Sequence, residues 1–218
     1  TVVAPNEEIT FINMSNKLSE TFEWTFEGAN IEASTDENPT VSYAQEGKYP
    51  VKLIAKNEQG QDEVIVEEFI TVTEKAKEGL VNLALNKPTE ASSFVNNNEA
   101  AQFAVDGDST KKWCAVGPDK HNITIDLGDE KDIAMLKVYH AEAGGENADM
   151  NTEEYMLEVS TDGTNFETVL DVKKNSQGTT SDAFKLTPAR YVRFTTLKPT
   201  QGSDSAARIY EIEVYGLE

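Results

Sequence analysis

Eight residues, Asp106-Gly107-Asp108-Ser109-Thr110-Lys111-Lys112-Trp113, put two carboxylates and two hydroxyls into one short run that ends in a large aromatic. Gly107, between the acids, can take a positive φ, and a curved run leaves backbone carbonyls without strand partners. Carboxylate, hydroxyl and carbonyl oxygens in a curved loop are the ligand chemistry of a hard cation such as calcium. Asp, Gly and Ser are equally the residues of an acidic surface turn. Both readings stand on these eight residues alone.

The turn belongs to a 218-residue chain with 39 acidic and 19 basic residues and a formal charge of -20. That excess repels phosphate backbones and anionic head groups, which argues against nucleic acid and membrane surfaces as partners. Neutral ligands and divalent cations remain. Hydrophobic content of 38%, charged content of 27% and a mean hydropathy of -0.50 describe a globular protein with a normal core. No apolar run approaches the ~20 residues that span a bilayer. The single cysteine, Cys114, rules out an internal disulfide and a thiolate metal site. With no signal peptide and Thr1 as first residue, the expectation is a piece of a longer chain.

The elements that must position the turn read as strands. Phe22, Trp24 and Phe26 alternate with Glu23, Thr25 and Glu27, and Tyr49, Val51, Leu53 and Ala55 alternate with Pro50, Lys52, Ile54 and Lys56. Residues 57–62 read as a hairpin loop and residues 64–73 as a β-rich strand. This spacing predicts a small β-sandwich over residues 1–74. The charged stretch 75–80 is expected as a linker or one helical turn. Beyond it, residues 99–105 predict one short helical turn. Strands are expected at 122–127, 133–140, 155–160, 166–172, 190–197 and 208–215, with a hairpin at Asp162-Gly163. Many antiparallel strands with almost no helix mean an all-β chain, with a second sandwich or jelly roll over residues 81–218.

Two resemblances sharpen this. Trp24-Thr25-Phe26-Glu27-Gly28-Ala29, then Asn38-Pro39-Thr40, Tyr43, Gly47, Tyr49, Val51 and Leu53, resemble a PKD-type domain. That resemblance implies an immunoglobulin-like spacer of secreted or surface proteins. Its usual Asp residues are missing here, so no polar role is carried over. From Leu80 onward the ordered pieces are Asn82-Leu83-Ala84, residues 104–108 with Trp113, residues 123–128, Tyr155 with residues 159–163, residues 189–194 and residues 209–216. This set is similar to a coagulation factor 5/8 type C (discoidin) domain, and more narrowly to bacterial family 32 carbohydrate-binding modules.

The resemblance implies a jelly roll with one structural calcium and a sugar site in loops at one end. Its calcium ligands would be the Asp106 carboxylate, the carbonyls of Phe103 and Asp108, a residue at the Thr110-Lys111 step, the Tyr210 carbonyl and the Glu211 carboxylate. The family usually has Thr two residues before the Trp; here that position is Lys111. Trp113 is expected in the core.

Sugars stack a CH-rich face on an aromatic ring while polar groups read their hydroxyls. Phe94 followed by Asn96, Asn97 and Asn98 suits that chemistry, as it suits a solvated turn. The long Gly-rich loop 139–152 carries His140, Glu146 and Asn151, which either meet a ligand or brace the loop. Arg208 opens the last strand with five donors, for vicinal hydroxyls or for an ion pair with Glu146 or Glu142. The candidate sugar contacts are therefore Phe94, Asn98, His140, Glu146, Asn151 and Arg208.

Nothing points to catalysis. No nucleophile elbow and no phosphate-cradling Gly loop occurs, and only His121 and His140 are present. The family likeness implies a non-catalytic accessory region of a secreted or surface bacterial, Gram-positive glycoside hydrolase. The expected parent is an endo-β-N-acetylglucosaminidase and the expected ligands are host glycans ending in galactose, N-acetylgalactosamine or N-acetylglucosamine. The alternative is a structural or adhesion module that packs against a catalytic domain or a protein partner and has no sugar site.

Overall fold

The computed structural model describes residues 1–117 and 120–218. The chain divides into two compact units, Thr1–Gly79 and Leu80–Glu218. The charged stretch expected as a linker or one helical turn forms a 3-10 helix, Glu74–Glu78, and stays with the first unit.

In the first unit the strands are β1 (Val2–Val3), β2 (Ile9–Thr10), β3 (Thr21–Thr25), β4 (Ala33–Ser34), β5 (Thr40–Val41), β6 (Gly47–Asn57) and β7 (Gly60–Val72). Five of them form a sheet in the order β1-β7-β6-β3-β4, and β2 and β5 pair across from it. The predicted alternation is realised. Phe26 and Trp24 are buried, and the Trp24 and Phe26 rings stack at 5.7 Å with Phe11 against both. Pro50 cannot donate to a ladder, and the β6–β7 register shifts between Tyr49 and Val51, where it sits.

The second unit has β8 (Val81–Asn82), β9 (Thr89–Ala91), β10 (Trp113–Ala115), β11 (His121–Tyr139), β12 (Glu154–Ser160), β13 (Glu167–Val172), β14 (Thr179–Lys198), β15 (Ala207–Ile209) and β16 (Glu211–Leu217). They run β13-β12-β14-β11-β16-β8, with β9 also on β11 and a separate β10–β15 pair. The two strands expected at 122–127 and 133–140 are one strand. Its ladder with β14 is irregular between Asp126 and Lys131, around Gly128 at φ 94°. β9 pairs with the first half of β11 and β16 with the second, so one long strand serves both layers. Trp113 is fully buried, as expected, in a core with Ile123, Ile125, Leu136, Leu157, Phe194 and Ile209. The helical turn expected at 99–105 is two 3-10 helices, Asn97–Glu99 and Ala101–Ala104. Both units are β-sandwiches, and the chain is all-β.

Candidate functional site

The turn at 106–111 is built from its own side chains. Asp106 Oδ1 accepts the Asp108 N–H at 2.9 Å, and Asp108 Oδ1 accepts the Thr110 N–H at 3.1 Å and its hydroxyl at 2.5 Å. Gly107, at φ 76°, donates its N–H to Glu211 Oε1 at 3.1 Å. The first residue of β16 is thereby tied to the early loop. The Thr110 hydroxyl is committed to Asp108. The Thr110 hydroxyl and Lys111 draw the Asp108 carboxyl down to about 2.

Glu211 is buried, and its Oε2 has no hydrogen-bond partner. Burial, with Asp106, Glu213 and Asp108 adding to it against the Gly107 N–H, raises its pKa to about 7. Among the described residues no three His, Cys, Asp or Glu side chains gather as a metal cluster. A cation here would therefore take two carboxylates, Asp106 and Glu211, and complete its shell with carbonyls. The orphaned Glu211 oxygen fits that requirement.

A second cluster joins the end loops. Glu146 Oε1 accepts from Lys112 Nζ at 2.6 Å and from the Tyr210 hydroxyl at 2.8 Å, while Arg208 Nε lies 3.2 Å from Oε2. Arg208 also donates to the Ala206 carbonyl and to Asp204 Oδ2, and Lys112 reaches Glu99 at 3.6 Å. Burial alone would lower the Lys112 pKa; the Glu146 carboxylate outweighs it and raises it. Glu99 closes the 3-10 helix Asn97–Glu99, and Asn97 on the same helix lines an open depression of about 360 Å³. Phe94, Thr89, Glu90 and Gln102 line it too. Phe94 is 49% exposed, which leaves an aromatic residue partly open beside amide, hydroxyl and carboxylate groups.

The structure thus brings Glu146 and Arg208 together as an ion pair and leaves Phe94 open. Asn98 is exposed, with its backbone N–H held by Asn96 Oδ1. His140 and Asn151 are corrections to the expected ligand set, because both are fully buried. His140 Nε2 is 3.3 Å from the Thr180 hydroxyl, its ring packs on Tyr155, and burial lowers its pKa to about 4. Asn151 bonds the Glu142 N–H, the Glu142 carboxylate and the Ser176 carbonyl. These two side chains brace the loop from inside. Lys112, Glu99 and the Tyr210 hydroxyl were not expected in the cluster. The pairing of β10 with β15, which sets Cys114 opposite Arg208, is what brings Lys112 alongside Arg208.

Residues 88–212 match the F5/8 type C domain family and residues 1–67 match the PKD domain. A search of curated proteins returned no match. Among solved structures, chitosan-binding module 1 of a Paenibacillus sp. IK-5 chitosanase/glucanase is 31% identical. Its TM-score is 0.54, with 62% of this chain and 99% of that one covered. A Clostridium perfringens module, CpGH89CBM32-5, in complex with GalNAc-β-1,3-galactose, is 25% identical with a TM-score of 0.54 and the same coverage. The family 32 carbohydrate-binding module of Streptococcus pneumoniae EndoD shares the fold at 20% identity, a TM-score of 0.57 and again 62% and 99% coverage. With more than half of its length matched, this chain belongs to the F5/8 type C domain family, preceded by a PKD domain.

Proposed function

We propose that the second unit is a non-catalytic carbohydrate-binding module that holds a secreted or cell-surface bacterial glycoside hydrolase on its glycan. The observation that carries this is the partly open Phe94 at the rim of a depression lined by Asn97, Gln102, Thr89 and Glu90. An apolar face ringed by amides and oxygens is what a sugar needs. The likeness to a chitosan-binding module and to a module holding GalNAc-β-1,3-galactose supports it. Terminal galactose, N-acetylgalactosamine or N-acetylglucosamine are the ligands to test, and a Gram-positive endo-β-N-acetylglucosaminidase is the parent enzyme we favour. The module acts by raising effective concentration. Calorimetry and a glycan array check this. Phe94→Ala and Arg208→Ala should each weaken binding by about tenfold or more. A folded chain that binds no glycan at millimolar concentration sinks the reading, and unchanged affinity in both variants moves the site elsewhere.

The same reading includes a structural calcium on Asp106 and Glu211 with carbonyls of Phe103, Asp108, Lys111 and Tyr210. At ten times its Kd, calcium should raise the melting temperature of the second unit by about 5 °C. An unchanged melt with metal-free elemental analysis rejects it. A second reading, docking of the first unit on a protein surface, is favoured by Ile12, Met14, Val64, Val66 and Phe69. All five are exposed, and all five line one groove.

A further inference from the structure

We propose that Lys111 is a built-in competitor for calcium, its ammonium holding the carboxylates of the turn until the metal displaces it. This rests on the calcium reading above and adds what is particular to this chain, where the related domains usually carry Thr. Lys111 Nζ stands 3.3 Å from Asp106 Oδ2 and 2.9 Å from Asp108 Oδ2. It also lies over the Phe103 ring, 5.5 Å from its centroid. The Asp106 carboxylate is thus both an expected calcium ligand and a Lys111 partner, and the Phe103 ring flanks the same ammonium.

The ammonium does only part of what a divalent ion would do. It neutralises the outward oxygen of Asp106 and one oxygen of Asp108, but Glu211 Oε2 stays buried and without a partner. A hard dication prefers to gather several oxygens, and it would draw Asp106 and Glu211 onto one centre. It must first free Asp106 Oδ2 from Lys111. The Lys111 side chain is 47% exposed, so it can swing into water without rearranging the fold. The turn is therefore ordered without metal, and calcium binds more weakly than the carboxylates alone would allow.

Calorimetric titration of the chelator-treated whole chain with calcium chloride tests this. Lys111→Met removes the ammonium and should bind calcium about tenfold tighter than wild type. Lys131→Met makes the same charge change near Asp132, at the opposite end of the β11–β16 ladder from Glu211. It should leave the affinity within about twofold. Equal affinity of Lys111→Met and wild type overturns the competition while leaving the calcium site standing. Equal tightening by the two lysine variants overturns it as well, as a net-charge effect. No calcium binding by any of the proteins at millimolar concentration removes both the site and the competitor. Should Lys111→Met fail to fold, the wild type decides. Calcium should shift the Lys111 Cε resonance toward that of a free lysine, and saturation without such a shift overturns the proposal.

Discussion

Gly144→Ala should destabilise the second unit by more than about 3 kcal/mol. A Cβ at this position would stand 2.0 Å from two atoms of the Tyr210 ring and 2.4 Å from a third. Tyr210 has little room to move. It is 6% exposed, its N–H is bonded to the Tyr139 carbonyl at 2.8 Å, and its hydroxyl holds Glu146. If the ring yields, Glu146 loses a partner, and the Lys112 and Arg208 cations lose the anchor they share. If the loop yields instead, the 3-10 helix Ala141–Gly144 lifts and Asn151 loses the Glu142 N–H it caps. Either path uncouples half-buried charges, which is costly when one partner is removed. A midpoint fall of about 10 °C in the second unit alone is the expected calorimetric result. A fall of less than about 2 °C would show that the loop slides over Tyr210 as a body.

That close approach was invisible in the sequence, and the reason is general. Alternation declares which side chains of a strand share a face, and Phe22, Trp24 and Phe26 could be read that way. It does not declare which loop backbone lies against which ring. Two strands are expected at 122–127 and 133–140 because Gly128-Asp129-Glu130 interrupts the apolar pattern, yet β14 continues alongside and keeps both halves of β11 in one ladder. The first half of β14 carries no apolar period because its inward positions begin with polar Thr180 and Asp182, although burial alternates regularly from Thr179 to Leu186. In the site, Glu146 and Arg208 were legible as opposite charges on two long loops. His140 and Asn151 could be read either as ligand contacts or as braces of their loop, because polar residues on a long loop serve both uses. Here the backbone of loop 140–152 leaves polar groups inside the unit, and buried polar groups need partners. Asn151 supplies them for the Glu142 N–H and the Ser176 carbonyl, while the His140 ring packs on Tyr155 and meets the Thr180 hydroxyl.

The same burial sets the second large effect, a loss of stability in acid that His140 controls. The ring is fully buried, packed on Tyr155 at 5.4 Å, with Nε2 facing Thr180 and Nδ1 without a partner. The nearest acid in this network, Asp182, is engaged by the Tyr155 hydroxyl at 2.7 Å. Burial lowers the His140 pKa from 6.5 to about 4, so the folded chain keeps the ring neutral where the unfolded chain protonates it. Between those values the unfolded state binds more protons, and stability falls as pH falls. The contribution is complete above the unfolded value and amounts to about 3 kcal/mol, lost by the time pH reaches the folded one. Glu211 acts in the opposite sense. Its pKa is raised to about 7, so its contribution is present below the ordinary carboxylate range and is lost as pH rises through 7. Over the window between about 4.5 and 6.5 the two slopes oppose each other, and the wild-type profile alone is flattened. His140→Leu separates them. Urea denaturation of both proteins at pH 7, 5.5 and 4 should show the wild type losing about 3 kcal/mol relative to the variant across that range. A stability difference that does not change with pH, or a His140 resonance titrating above pH 6 in the folded chain, would mean that water reaches the ring and that burial is not what holds it neutral.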